Sequence, residues 1–280
     1  VLKWREMIMY EKVVAVYGVP RSGTSWLGQI IDSCPDVLFR FQPLFSYRFK
    51  NRVTTESTYE EIKNYFCELY NENNDEFLNQ TDKKENGSYP IFKHKVTEPS
   101  ILAMKEGNYL YTVPILLQKC KQIKIVCIVR NPFDVMESWI NAPAEFKPEW
   151  DILEEWGFAA SKNQYRPENY FGYYKWKECI KLNVDMQKRY PNNFITLRYE
   201  DLKNDALNES RSLFTFLDMP FTKQTEDFIE SSQSKTVDGV YSVYIKKNEV
   251  RKRQFYLPNE VKEKISHDLR NFKEAKILGY

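Results

Sequence analysis

The stretch VVAVYGVPRSGTSWLGQI, Val13 to Ile30, constrains the chain more than any other. Val13 to Tyr17 is a short β-branched apolar run that ends on Gly18, and it predicts a buried strand. A second glycine, Gly23, follows five residues later, and Trp26, Leu27, Ile30 and Ile31 then recur at helical spacing up to Pro35. A strand, a glycine turn and a helix N-terminus aim free backbone N–H groups and the helix dipole at one point, which makes an anion site. The spacing G-x4-G is that of a phosphate loop, but Thr24 stands where a triphosphate-binding loop carries its lysine. A tight turn with no ligand is the plain alternative. Arg21, inside the loop, can supply the missing positive charge.

The rest of the chain alternates in the same way. Val37–Phe41, Ile91–Val96, Ile123–Val129 and Phe194–Tyr199 are predicted strands. Helices are expected over Thr58–Tyr70, Pro114–Lys121, from Pro132 onward, Glu149–Lys162 and Asn169–Tyr190, and over most of the remainder to Gly279. Asn71 to Ser88 reads as a polar loop. Strands alternating with helices imply an α/β fold, a central parallel sheet flanked by helices. Neither repeats nor a linker divide the 280 residues, so one domain over 1–280 is expected.

Composition narrows the ligand. Lys plus Arg number 41 against 39 Asp plus Glu, which gives no basic face for a nucleic acid and places any anion in a local pocket. Two histidines and five cysteines without a CxxC pair argue against a zinc site and for reduced thiols, so no metal is expected. No apolar run reaches the roughly 18 residues that span a bilayer. The chain opens on Val1, which leaves a trimmed leader or anchor open.

A second stretch supports the first. IVRNPFDVMESW, Ile128 to Trp139, carries Arg130 at a strand end and Ser138 eight residues on. A guanidinium fork and a hydroxyl so placed can converge on a phosphate monoester; a surface ion pair of Arg130 with Asp134 is the competing outcome.

Together, GVPRSGTSWLGQII and IVRNPFDVMESW resemble the two nucleotide-binding motifs of sulfotransferases that use 3′-phosphoadenosine 5′-phosphosulfate (PAPS), and LRYEDL, Leu197 to Leu202, is similar to the segment where that family places an adenine-side tyrosine. The resemblance runs from about Val13 to about Arg253 and weakens between Asn51 and Tyr89. It implies a P-loop fold of the sulfotransferase type and transfer of a sulfonate group from PAPS to an acceptor hydroxyl. It assigns Arg21, Ser22, Gly23, Thr24 and Ser25 to the 5′-phosphosulfate, Trp26 and Tyr199 to the adenine, and Arg130 and Ser138 to the 3′-phosphate. For Trp26, a place in the helix core is the alternative. Lys246, Lys247 and Arg251, in IKKNEVRKRQF, fall where the family folds a basic loop over the 3′-phosphate, although the glycines of that loop are missing here; a solvated charge run is the alternative.

For the base, the resemblance points to His94 in IFKHKV, beside Lys93. Lys93 and Arg21 are then the cations for the departing phosphate. A hydrogen-bonded core histidine is the competing reading. Relatives acting on carbohydrates carry a Glu where this chain has Gln42, an amide that cannot accept a proton; Glu98 and Glu145 are the substitutes. The implied acceptor is a hydroxyl of a glycan, a glycolipid or a small molecule, and the implied location is cytoplasmic. A P-loop kinase and a non-catalytic nucleotide-binding protein are the competing functions. Oligomeric state is left open.

Overall fold

A computed structural model describes residues 10–237, 241–246 and 255–280, with backbone alone at 245 and 246. Strand β1, Lys12–Tyr17, is almost wholly buried and runs through the loop into helix α1, Thr24–Asp32. Strand β2, Val37–Phe41, follows. Helix α2, Tyr59–Asn71, is opened by a capping box in which Thr58 and Glu61 each satisfy the other's backbone N–H. Two short helices, α3 at Glu76–Asn79 and α4 at Thr81–Glu85, occupy the stretch expected to be a polar loop.

Strand β3 is Ile101–Lys105, not the expected Ile91–Val96. Residues 91–96 form no regular element, and Ile91 and Val96 are exposed. The reason is the environment of the third strand. A parallel strand covered on both faces needs a continuous apolar run, which ILAM provides. The alternating IFKHKV would have driven two lysines into the core.

Helix α5, Val113–Lys119, leads to strand β4, Ile123–Val129, and helix α6, Pro132–Ile140, starts with proline in its first turn. The helix expected over Glu149–Lys162 is broken into α7, Ile152–Phe158, and α8, Ala160–Asn163, by Ala159 in the left-handed region at φ 48°. Helix α9, Tyr173–Arg189, strand β5, Phe194–Arg198, and helices α10, Tyr199–Asn204, α11, Ala206–Phe216, and α12, Lys223–Ser234, follow. Two-residue strands β6, Thr236–Val237, and β7, Ile245–Lys246, pair with each other; helices α13, Asn259–Asn271, and α14, Lys273–Ile277, close the chain.

The main sheet has the order β2-β3-β1-β4-β5, and every pair in it is parallel. Alternate residues feed two cores. Val14, Val16, Ala103 and Ile128 pack with α1 and α12 on one face; Ala15, Tyr17, Met104 and Cys127 pack with α2, α5 and α9 on the other. Covering both faces leaves the strands' carboxyl edge as the open side, where α/β sheets bind ligands. None of the described helices is long and apolar enough to cross a membrane.

Candidate functional site

The loop after β1 is built by its glycines. A Cβ on Gly18 would lie 2.5 Å from the Ile128 carbonyl oxygen, and one on Gly23 would lie 2.6 Å from the Tyr199 ring. Gly23 is also left-handed, at φ 95°, and caps α1 with no side-chain hydrogen bond, so the helix N-terminus keeps donors for a ligand. Arg21 itself holds φ 74° inside the turn.

Register then sets what stands around the loop. Tyr17 pairs with Cys127 in β4, which puts the end of that strand beside the loop, and Cys127 pairs with Thr196 in β5. Arg130, just past β4, donates from Nη1 to the Arg21 carbonyl at 3.1 Å, and its guanidinium lies 4.5 Å from the Tyr199 ring centroid. Arg21 Nε donates to Ser138 Oγ at 3.1 Å. Trp26 meets Tyr199 edge-on, 6.2 Å between centroids, and donates from Nε1 to Ser232 Oγ at 2.9 Å. The pair expected as an alternative, Arg130 with Asp134, also forms, at 3.8 Å.

The structure thus brings together Arg21, Ser22, Gly23, Thr24, Ser25, Trp26, Arg130, Ser138 and Tyr199. The backbone of Lys246 lies in β7; Lys247 and Arg251 are outside the described residues.

Lys93 and His94 are elsewhere. Both are exposed, and the His94 backbone is held by Gln224 of α12: its N–H donates to Oε1 at 2.9 Å, and Nε2 donates to the carbonyls of His94 and Ser33. Next to it, Lys95 bonds the Asp32, Cys34 and Val37 carbonyls. Ser33 caps the far end of α1, a helix about 13 Å long by its rise per residue. His94 therefore lies at the opposite end of α1 from the loop. Glu98 precedes β3 at the same amino edge of the sheet and is also exposed.

The strand that does flank β1 carries a different lysine. Val16 pairs with Lys105, the last residue of β3, and Lys105 is 5% exposed. Its Nζ sits 4.6 Å from the Phe41 ring centroid, and it would be 3.5 Å from a Cβ on Gly107. Gln42 Nε2 would be 3.1 Å from the same Cβ, so the amide and the ammonium share one corner. Burial pushes the Lys105 amine down to about 7; repulsion from Lys83 and Arg21 adds to it, and attraction to Glu106 and Glu145 offsets only part. Glu106 points to the other face, where Oε1 accepts from the Leu44 N–H at 2.7 Å and burial pushes the carboxyl up to about 8.

Glu145 completes the corner. Its Oε2 lies 3.7 Å from Arg21 Nη1, within ion-pair range but too long for a hydrogen bond. That oxygen is buried and accepts no hydrogen bond among the described residues.

Ser22 Oγ and Arg130 Nε are likewise buried without a partner there. Buried donors of this kind are costly unless a ligand satisfies them, and with the uncapped α1 they fit an anionic, multiply charged group. Among the described residues no three His, Cys, Asp or Glu side chains converge as a metal site.

Comparison with known proteins gives a consistent answer. A family model for the sulfotransferase domain matches residues 11–274. The chain is 24% identical over 166 residues to carbohydrate sulfotransferase 3 of Mus musculus, covering 57% of this chain and 34% of that protein. It is 26% identical over 225 residues to cytosolic sulfotransferase 15 of Arabidopsis thaliana, covering 77% and 54%. The chain thus spans about a third to a half of these relatives. Mouse sulfotransferase SULT7A1 complexed with PAP shares the fold with a TM-score of 0.57 at 17% identity, over 98% of this chain and 92% of that one. A sulfotransferase from Alicyclobacillus acidocaldarius does so at 0.53 and 15%, over 96% and 95%.

Proposed function

Since the chain belongs to the sulfotransferase domain family, we propose that it transfers a sulfonate group from PAPS to the hydroxyl of an acceptor, with a glycan or a small molecule as the hydroxyl's carrier. One observation carries the reading. Arg130 and Ser138, more than a hundred residues from the loop in sequence, both hydrogen-bond Arg21 within it. Two motifs that would each be ordinary alone form one polar constellation.

PAPS, when bound, supplies the sulfonyl group and a phosphate leaving group. The residues divide the remaining tasks. The α1 N-terminus and Arg21 hold the 5′-phosphosulfate; Arg130 and Ser138 hold the 3′-phosphate; Trp26 and Tyr199 border the adenine. Lys105 takes the role expected of Lys93, because it is the lysine at a strand end beside the loop; its ammonium stabilises charge on the oxygen that departs. Glu145 takes the role expected of His94, that of the base. It accepts the proton of the attacking hydroxyl on the oxygen that has no donor, while Arg21 keeps the carboxylate oriented. Gln42 stays a neutral hydrogen-bonding group in the same corner.

The competing kinase reading needs a lysine where Thr24 stands. The two separate in a thermal-shift titration. 3′-Phosphoadenosine 5′-phosphate without metal should raise the melting temperature by several degrees at concentrations where ATP with Mg²⁺ does little. A larger shift with ATP and Mg²⁺ would overturn the proposal.

A further inference from the structure

Helices α3 and α4 fold over the carboxyl end of β2 and bring one cation into an aromatic corner. Lys83 Nζ lies 4.8 Å from the Phe41 ring centroid and 4.8 Å from that of Tyr89. Phe41 also takes Lys105 Nζ, at 4.6 Å. Two ammonium groups thus share one ring, and each disfavours the charge of the other. The carboxylate within electrostatic reach of Lys83 is Glu145, which is already paired with Arg21. Among the described residues Lys83 Nζ has neither a hydrogen bond nor an ion pair within 4.0 Å.

Outside Lys83 the wall continues towards solvent. Phe41 meets Phe77 at 5.6 Å, and Phe77 meets Phe45 at 6.2 Å. Phe45 is 50% exposed and Phe77 38%, whereas Lys83 is partly buried. Apolar ring faces outside a partly desolvated, unpaired cation fit a ligand with a flat body and a negative group.

We propose that Lys83, with Phe41, Phe45, Phe77 and Tyr89, forms an acceptor subsite that selects hydroxyl compounds bearing a carboxylate, such as an acidic sugar. This rests on the sulfotransferase reading above, in which Arg21 and Lys105 are engaged by the donor and leave Lys83 for the acceptor. An acceptor carboxylate on Lys83 relieves the repulsion across the Phe41 ring and brings its hydroxyls towards Glu145.

The test uses 4-nitrophenyl β-D-glucuronide and its methyl ester, which have the same ring and hydroxyls and differ in charge. Binding of each to the protein saturated with 3′-phosphoadenosine 5′-phosphate is measured by saturation-transfer NMR or calorimetry, and turnover is measured with radiolabelled PAPS. The free acid should bind at least tenfold more tightly than the ester, and Lys83→Met should erase the difference while leaving the bisphosphate affinity unchanged. Equal responses to acid and ester, including no response to either, would overturn the subsite. So would a Lys83→Met protein that loses stability and still discriminates, because a lysine that only packs on two rings would behave in that way. Failure of the bisphosphate itself to bind would instead count against the donor reading.

Discussion

In the proposed function, stability and function pull against each other at Lys105. Its ammonium is enclosed at the end of β3 with Lys83 and Arg21 nearby, and burial holds its pKa down at about 7. Replacing it by methionine keeps the length and removes the buried charge. Lys105→Met should therefore melt higher, by the equivalent of about 1–4 kcal/mol. It should also turn over about 10²–10³ times more slowly, because the departing oxygen loses its cation. The pH dependence has a definite sign. In the unfolded chain the amine holds its proton up to about pH 10.4. Between about 7 and 10 the unfolded state thus binds the extra proton, and this group's penalty shrinks as pH rises. The advantage of the methionine variant should be largest below pH 7 and fade towards pH 10. Paired melting curves at pH 6 and pH 9 measure it; an advantage that grows with pH would show that Lys105 is not a penalised cation.

The elements explain which parts of the site are legible in the sequence. The loop between β1 and α1 and the turn from β4 into α6 are local motifs, and each is set by a glycine or a proline at a fixed offset. Arg21, Arg130 and Ser138 can accordingly be singled out from the residue order, and Tyr199 through the resemblance of LRYEDL to sulfotransferases. Strand β3 cannot be placed in that way. ILAM is four residues long and has one β-branched member, whereas IFKHKV alternates like a half-exposed strand; the sheet's two-sided burial selects the former, and nothing local in either string announces it. A strand set at 91–96 puts Lys93 and His94 at the sheet's carboxyl edge, a place that belongs to Lys105. Lys83 is hidden for a related reason: the polar stretch gives no local sign that Asp75 caps α3, that Leu78 is buried, or that Lys83 meets Phe41 and Tyr89. The opposed positions of His94 and Glu145 relative to α1 make a direct comparison. His94→Ala should leave kcat unchanged per folded molecule. Glu145→Gln should lower kcat by about 10²–10⁴ with the bisphosphate affinity nearly intact. Steady-state rates on the two variants, with the same acceptor, decide it; the reverse pattern would return the proton to the imidazole.

At the scale of the whole molecule, the parallel sheet gathers side chains that are distant in sequence. Its carboxyl edge collects Phe41 from β2, Lys105 from β3, the loop after β1, Arg130 after β4 and Tyr199 after β5, in the spatial order 2-3-1-4-5. In the proposed function the residues assigned to the donor lie towards the β1, β4 and β5 side, and the aromatic wall with Lys83 lies towards β2. A nucleotide and an acceptor can thus approach the loop from opposite sides, with the transferring group between them near Arg21. In the proposed function, the β4 side is shaped for a nucleotide with a phosphate on its ribose 3′ position. The most direct measurement is calorimetry of the wild-type and Arg130→Ala proteins with 3′-phosphoadenosine 5′-phosphate and with adenosine 5′-phosphate, which lacks only the 3′ group. The wild type should prefer the bisphosphate, and Arg130→Ala should lose about 1.5–3 kcal/mol of that preference, roughly ten- to a hundredfold, while affinity for the monophosphate falls less. A wild-type protein that binds the two nucleotides equally, or a variant that keeps the full preference, would contradict it.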